Sequence, residues 1–267
     1  KRKRKIIVKP EEGGNAMPTW NPWHGCIKLG SGCNHCYVYR RDAEFGKDAS
    51  KIKKTAKFDL PVQKNRRGAY KLLPEEEPVY VCMSSDFFLK AADEWRKDAW
   101  AMMRERADLS FVIVTKRIHR FKVSLPEDWG EGYENVTVMC SAENQSRADD
   151  RIPELLSLPI RHKAVLLEPM LERIQMEAYL KSGQIERVVC GGETGEDARV
   201  CDFAWVLDAM NQCVKYDVPF QFKQTGTFFK KGEKVYHIEE ENQKQQAKRA
   251  GVDFGQASEK TAGEKES

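Results

Sequence analysis

Three cysteines near the N-terminus form the pattern in this sequence that is most capable of chemistry. Cys26, Cys33 and Cys36 follow a Cys-x6-Cys-x2-Cys spacing in a glycine-containing loop. A [4Fe–4S] cluster is normally held by four cysteine thiolates, so three would leave one iron open to a small ligand. The alternative is zinc, with His24 or His35 completing a Cys3His set. No second Cys-x2-Cys pair and no His-x3–5-His pair follows, which favours the cluster.

Six apolar runs further along the chain are each followed directly by polar residues. Each of these polar stretches contains a residue with an ionisable side chain that could serve at an active site. These groups are Asp86, Lys116, Glu143, Glu168, Glu193 and Lys223. In parallel α/β barrels the active site is built at the carboxyl ends of the strands, so we expect these side chains to face one cavity beside the cysteine loop. The alternative is that they cap helices and form turns, which the loops after strands need in any case.

The apolar runs themselves predict the strands that position these groups. They start 24 to 32 residues apart, the length of a strand–helix unit, and cover residues 79–83, 110–115, 136–140, 163–167, 187–190 and 219–222. Helical periodicity predicts helices at 37–45, 92–106, 147–156, 171–181, 202–216 and 239–249, with Asp202 as an N-cap. With a seventh, irregular strand near 17–23, the pattern predicts an α/β fold, a partial (β/α) barrel of six to seven parallel strands.

Charge and composition divide the chain into three parts. We expect a basic tail over residues 1–16, the partial barrel over 17–231 with an insertion near 47–75, and a polar extension over 232–267 that is disordered at 258–267. The net charge of +4 permits nucleic-acid binding without arguing for it. No run of about 18 apolar residues and no signal peptide is found, and eight cysteines then indicate a reducing compartment. We therefore expect a cytoplasmic protein without a membrane span.

The cysteine loop belongs to a longer motif with partners later in the chain. The sequence reads TWNPWHGC at 19–26 and SGCNHCY at 31–37, and TKR at 115–117, EP at 168–169, GGE at 191–193 and FKQ at 222–224 follow in order. This combination, over residues 17–230, resembles the three-cysteine phage-protein family, which is of uncharacterised function. That family looks like a divergent branch of the radical S-adenosylmethionine (SAM) superfamily. The first cysteine gap is six residues instead of the usual three, and the Gly-Gly-Glu follows a late strand instead of the second.

The resemblance implies an enzyme in which Cys26, Cys33 and Cys36 hold a [4Fe–4S] cluster whose open iron binds SAM. The implied cofactor-binding residues are Ser84, Asp86, Glu143, Asn144, Gly191, Gly192 and Glu193. The implied catalytic residues are Lys116, Glu168 and Lys223. A phage-like family and the basic stretch at 51–71 point to nucleic acid or a nucleotide as substrate, and an electron-donor protein would be a further partner. The oligomeric state is not predicted.

Two other functions fit parts of the sequence. A zinc-stabilised nucleic-acid-binding protein without catalysis would explain the cysteine loop and the basic segments, but not six polar strand ends. A barrel enzyme using Lys116 or Lys223 for Schiff-base chemistry would need a lysine desolvated in the barrel, and structural zinc. Metal analysis separates the first alternative from the cluster, and borohydride trapping with a carbonyl substrate tests the second.

Overall fold

A single curled sheet of seven parallel strands organises the protein, whose computed structural model describes residues 18–75 and 77–255. With strands numbered along the chain, the sheet order is β1 (Thr19–Trp20), β4 (Val79–Val81), β5 (Phe111–Thr115), β6 (Val136–Ser141), β7 (His162–Leu167), β8 (Ile185–Gly191) and β10 (Phe220–Gln224). Each strand lies beside the next in chain order, and the sheet curls into a half-barrel. This confirms the predicted partial (β/α) barrel, and the bounds of the six predicted apolar strands differ from the observed ones by at most two residues.

The helices are α1 (Tyr37–Glu44), α2 (Asp93–Glu105), α3 (Gln145–Ser157), α4 (Glu177–Leu180), α5 (Phe203–Lys215) and α6 (Glu240–Arg249). Five of them match predicted helices, and Asp202 caps α5 as expected by accepting a hydrogen bond from the amide of Ala204. The predicted helix at 171–181 is wrong except at its end. Gln212 of α5 bonds the amide of Met176 and the carbonyl of Ile174, so tertiary contacts take backbone groups that a helix would use.

The two faces of the sheet are buried differently. The outer face joins the helices in a large core, in which Trp100 of α2 packs on Phe87 and Trp129 with ring centroids 4.8 and 4.9 Å apart. Such aromatic pairs add specific geometry to the burial of apolar area, and here they fix the loop after β4. The inner face carries a smaller apolar cluster of Val112, Met139, Ala164, Leu166 and Val189.

Shorter strands extend the fold at both ends of the chain. β2 (Trp23–His24) pairs with β3 (Lys53–Lys54), while β9 (Cys201–Asp202), β11 (Phe228–Lys231) and β12 (Lys234–His237) form a second small sheet. The polar extension expected from residue 232 thus starts between two paired strands, and α6 follows it. The predicted tail at 1–16 and the predicted disorder at 258–267 lie outside the described residues.

The segment predicted as an insertion, 47–75, contains little regular structure beyond β3 and a 3-10 turn at Leu60–Val62. It is nevertheless tied to the barrel. Arg106, at the end of α2 and fully buried, donates hydrogen bonds to the carbonyls of Pro61 and Leu72. Across the described part of the chain, none of the helices has the length and apolar character that crossing a membrane requires.

Candidate functional site

The cysteine loop, residues 26–36, lies at the carboxyl ends of the parallel strands. Cys26 follows β2, Cys33 ends a short 3-10 turn, and Cys36 immediately precedes α1. Backbone hydrogen bonds anchor its start: the amide of Gly25 donates to the carbonyl of Ser84 at 3.1 Å, and that of Cys26 to Ala49 at 2.8 Å. All three thiols are partly buried and none is in a disulfide.

The three thiols lie in one electrostatic neighbourhood. The pKa of Cys26 is raised to about 12, first by burial, then by the Asp86 carboxylate and by the neighbouring Cys33 and Cys36 thiols, with the charge of Arg117 opposing the rise. Cys26 is therefore a protonated thiol in this structure, and a metal would have to displace its proton, since only the thiolate is a good ligand. Within residues 18–75 and 77–255, no three His, Cys, Asp or Glu side chains are grouped closely enough to hold one metal ion.

The first support of the cysteine loop is an ion pair between the loops after β4 and β5. Asp86 accepts hydrogen bonds from the hydroxyl of Thr115 at 2.9 Å and from the amide of Lys116 at 3.0 Å, and Arg117 lies 3.3 Å away. Arg117 also donates to the carbonyl of Ile27 and approaches the Cys26 sulfur at 3.9 Å. Asp86 thus holds Arg117 in an orientation in which the arginine contacts the cysteine loop.

The second support comes from β6 and α3. Glu143, which is 0 % exposed, binds Arg151 at 2.8 Å through its Oε2 atom. Its other oxygen lies against Gly32: a Cβ atom there would come within 2.7 Å of the Glu143 side chain. Among the described residues, the buried Glu143 Oε1, Arg151 Nη2 and Ser141 Oγ have no hydrogen-bond partner. This concentrates unsatisfied polar groups directly beneath the cysteine loop.

The third support follows β8. Arg199 donates hydrogen bonds from Nη2 and Nε to the two carboxylate oxygens of Glu193, at 2.6 and 2.8 Å. Its Nη2 also donates to the carbonyl of Ser31 at 2.9 Å. Burial alone would raise the pKa of Glu193, but the hydrogen bonds and charge of Arg199 outweigh it and hold that pKa below its ordinary value. Glu193 is therefore ionised at neutral pH, and its ion pair holds Arg199 in contact with Ser31 of the cysteine loop.

A separate polar cluster occupies the inner side of the half-barrel. Glu168, after β7, accepts from Lys223 at 2.8 Å and from Gln224 at 2.6 Å, and Lys116 reaches the Glu168 backbone carbonyl at 3.3 Å. Burial would lower the pKa of Lys223, yet the charge and hydrogen bond of Glu168 raise it above its ordinary value. Lys223 is thus partly buried and paired with a carboxylate, and its protonated state disfavours the Schiff-base alternative.

The other predicted cofactor-binding residues have structural partners. Ser84 is buried, and its amide donates to Asn21 at 2.9 Å. Asn144 caps α3 by accepting from the amide of Arg147 at 3.0 Å. Gly191 and Gly192 are needed for close packing: Cβ atoms there would lie 2.9 Å from Glu168 Oε1 and 2.1 Å from the carbonyl oxygen of Thr225. The alternative of caps and turns therefore accounts for Asn144, and close packing accounts for the two glycines.

The six ionisable groups at the strand ends consequently form two sets. Lys116 and Lys223 both contact Glu168 inside the half-barrel, whereas Asp86, Glu143 and Glu193 each bind an arginine. Sequence reasoning missed those arginines. Two of them could have been predicted from their positions in the sequence: Arg117 directly follows Lys116, and Arg151 comes eight residues after Glu143, about two helical turns. The six-residue separation of Glu193 from Arg199 carries no such signal.

The two histidines considered as zinc ligands differ in their surroundings. His24 Nε2 lies 2.6 Å from the carboxylate of Asp42 on α1 and is mostly buried. His35 sits inside the cysteine loop, near enough to Glu193 to contribute to the lowering of its pKa. The nitrogen of His24 that faces α1 is thus already occupied by a carboxylate.

The donor set suits an iron–sulfur cluster. Cys26, Cys33 and Cys36 lie in one loop, near enough for the last two to influence the pKa of the first. Arg117 brings a positive charge to within 3.9 Å of the Cys26 sulfur, which would offset the negative charge of bound thiolates. The thiolates of a cluster bind different irons, so they need not surround a single ion, as the four ligands of a tetrahedral zinc must. The residues present therefore fit the group that the resemblance implies.

Fold and site together define a class of protein: a parallel half-barrel that holds a three-cysteine loop over the carboxyl ends of its strands. The chain belongs to the DUF5131 family, described as a protein of unknown function, whose model matches residues 15–262. Comparisons with curated proteins and with solved structures find no match. Both the cysteine loop and the inner polar cluster lie within the matched residues.

Proposed function

We propose that this protein is an iron–sulfur enzyme of the radical SAM type, with Cys26, Cys33 and Cys36 as the ligands of a [4Fe–4S] cluster. One observation carries the proposal. Three half-buried thiols are held at the carboxyl ends of seven parallel strands by carboxylate–arginine pairs that come from three different strand ends. A surface loop without a function would not need these three pairs, two of which are buried on both sides and therefore have a high desolvation cost.

When bound, the cluster and SAM would supply a 5′-deoxyadenosyl radical that abstracts a hydrogen atom from the substrate. The chain's own residues would bind, orient and shield. In this proposal Asp86, Glu143 and Glu193 position the cysteine loop through their arginines. Lys116 and Lys223 present positive charge on the inner side of the half-barrel, where anionic groups of SAM or substrate would lie, and Glu168 holds Lys223 in its charged form.

The proposed substrate is nucleic acid or a nucleotide, and an electron-donor protein would reduce the cluster. The cation pair near Glu168 supports an anionic substrate, because two partly buried lysines have a single carboxylate between them: Lys223 binds the Glu168 carboxylate, and Lys116 binds only the backbone carbonyl of the same residue. Ser84, Asn144, Gly191 and Gly192 stay candidates for SAM contacts through the surfaces of the loops that they shape. Their packing supports a rigid wall beside the cysteine loop, which a preorganised site requires.

The test is anaerobic reconstitution of the full chain with iron and sulfide, followed by metal analysis and by incubation with SAM and a reductant. We expect equal amounts of iron and sulfide, and release of methionine and 5′-deoxyadenosine. Cys33→Ala should lose both iron and SAM cleavage. Cys213→Ala is the matched control, since Cys213 is a buried free thiol on α5, away from the loop, and it should keep both.

The zinc-stabilised alternative predicts a different result in the same experiment. A colourless protein with stoichiometric zinc, no iron after reconstitution and no SAM cleavage would contradict the proposed enzyme. Loss of that zinc on substituting His35 would then identify the fourth ligand. Iron incorporation that Cys33→Ala leaves unchanged would also contradict the proposal, because the metal would not be at the cysteine loop.

A further inference from the structure

A basic cleft lies beside the cysteine loop, between α1 and the short strand β3. The positively charged residues that line this basic cleft are Arg41, Lys47, Lys53 and Lys54. Its two walls are joined to the cysteine loop directly. β3 pairs with β2, which ends two residues before Cys26, and α1 begins immediately after Cys36. The cleft and the cysteine loop are therefore attached to the same two elements of the fold.

The charge of the cleft is not neutralised from within. Asp42 is the acidic residue of the lining, and its carboxylate is already bound to His24 at 2.6 Å. Arg41, Lys47 and Lys53 are exposed, and within the described residues none of them has a carboxylate within 4.0 Å. Three exposed cations thus line one cleft without a fixed counter-charge, and a surface of this kind raises the local concentration of anions.

The segment that contains β3, residues 47–75, carries more net positive charge than the whole chain. Residues 47–75 contain nine Lys or Arg and three Asp or Glu, a net charge of +6, while the whole chain carries +4. All other residues together therefore sum to −2. A basic surface on an otherwise slightly acidic protein is the electrostatic footprint of a polyanion-binding site.

An exposed aromatic ring makes the cleft more specific than a charge patch. Phe45 is 70 % exposed at the cleft, and the ammonium group of Lys47 lies 5.6 Å from its ring centroid. Cations along a groove together with an exposed aromatic ring form the combination that binds single-stranded nucleic acid, in which unpaired bases stack on the ring. Bases inside a duplex are already stacked and do not offer this contact.

We propose that the basic cleft binds single-stranded nucleic acid, with the phosphates on Arg41, Lys47 and Lys53 and a base on Phe45. As a statement about the substrate's class and docking place, the inference rests on the proposed function. The binding itself uses no residue of the candidate metal centre, so it can be measured on the protein without a cluster.

The test is fluorescence anisotropy with a labelled oligothymidylate and with a duplex of equal length, over a range of salt concentrations. The triple variant Arg41→Gln, Lys47→Gln, Lys53→Gln removes three phosphate contacts. Each contact to a single strand contributes roughly 0.7 to the slope of log affinity against log salt, so the slope should fall in magnitude by about 2. The matched control replaces three exposed lysines elsewhere, Lys122, Lys181 and Lys244, by glutamine and should change the slope little.

Phe45→Ala tests the stacking contact separately. Loss of one base–aromatic stack should weaken oligothymidylate binding roughly 5- to 150-fold and leave duplex binding almost unchanged. Circular dichroism should show every variant folded, since all the substituted side chains are exposed. The basic residues at 1–5 are the same in all variants, so differences between variants report the cleft.

Three results would overturn the inference. The cleft variant and the control variant could bind equally, duplex could bind as tightly as the single strand, or Phe45→Ala could have no effect. The last two would leave a general polyanion surface. Retained single-strand binding by a protein that incorporates no iron would contradict the proposed enzyme while upholding the cleft. An iron-loaded enzyme that fails to bind the oligonucleotide would do the reverse.

Discussion

Gly32, immediately before Cys33, is the residue whose substitution tests the packing of the cysteine loop most sharply. A Cβ atom at this position would lie 2.7 Å from the Cγ and Cδ atoms of Glu143 and 2.8 Å from Oε1. Glu143 is fully buried and bound to Arg151 at 2.8 Å, so it is not free to swing aside. We therefore expect Gly32→Ala to push the cysteine loop away from β6.

Forcing one extra carbon into a packed site costs about 1–3 kcal/mol. For a chain of this size, each kcal/mol lowers the melting temperature by roughly 2–4 °C. Gly30→Ala is the matched control in the same loop, because a Cβ atom there meets nothing nearer than the mobile end of Arg147 at 3.4 Å. The melting temperature, and the iron content after anaerobic reconstitution, should both be lower for Gly32→Ala than for the parent. Both should stay near the parent values for Gly30→Ala.

A double-mutant cycle assigns the effect to Glu143. Glu143→Ala alone leaves Arg151 buried without its partner, a loss of about 3–5 kcal/mol, but it also removes the atoms that Gly32→Ala would strike. In that background the further cost of Gly32→Ala should almost vanish. Equal costs in both backgrounds, or a Gly30→Ala variant as damaged as Gly32→Ala, would refute the contact that the structure shows.

Further substitutions probe the inner cluster, the third support and the histidine. Lys223→Met should abolish SAM cleavage while iron content stays, because it removes the cation that Glu168 holds; full activity would make Lys223 structural. Arg199→Gln should destabilise the protein by about 2 kcal/mol at pH 7. The pKa of Glu193 is lowered in the folded state, so its stabilising contribution is present above the ordinary glutamate pKa of about 4.3 and is lost as the pH falls through the lowered value. Urea unfolding of parent and variant should therefore converge at acid pH, and a constant gap would contradict the ion pair. His24→Ala should keep its iron, since His24 is bound to Asp42; loss of metal would make it a ligand.

The strands could be predicted from the sequence because parallel strands buried on both faces are written as continuous apolar runs. The failed helix at 171–181 shows the limit of that reasoning. Its apolar residues follow a helical spacing, yet Ile174 and Met176 enter the core from a loop whose backbone is bonded by Gln212. A side chain on another helix decided the local structure, and no pattern within the segment reports it.

The candidate site was predictable to the extent that it depends on strand order. Lys116, Glu168 and Lys223 meet inside the half-barrel because they follow strands whose carboxyl ends lie at one edge. The partners of the remaining carboxylates were not predictable in the same way. Arg199 reaches both Glu193 and the carbonyl of Ser31, a contact between segments far apart in the chain that only the folded structure brings together.

The central claim is that three thiolates hold a [4Fe–4S] cluster with one open iron, and Mössbauer spectroscopy of the ⁵⁷Fe-reconstituted protein tests it most directly. On addition of SAM, one iron of the cluster should change its isomer shift while the other three keep theirs. Cys36→Ala should show neither the cluster nor the change. Four equivalent irons that do not respond to SAM would mean a closed electron-transfer cluster, and a protein that takes up zinc but no iron would contradict the account altogether.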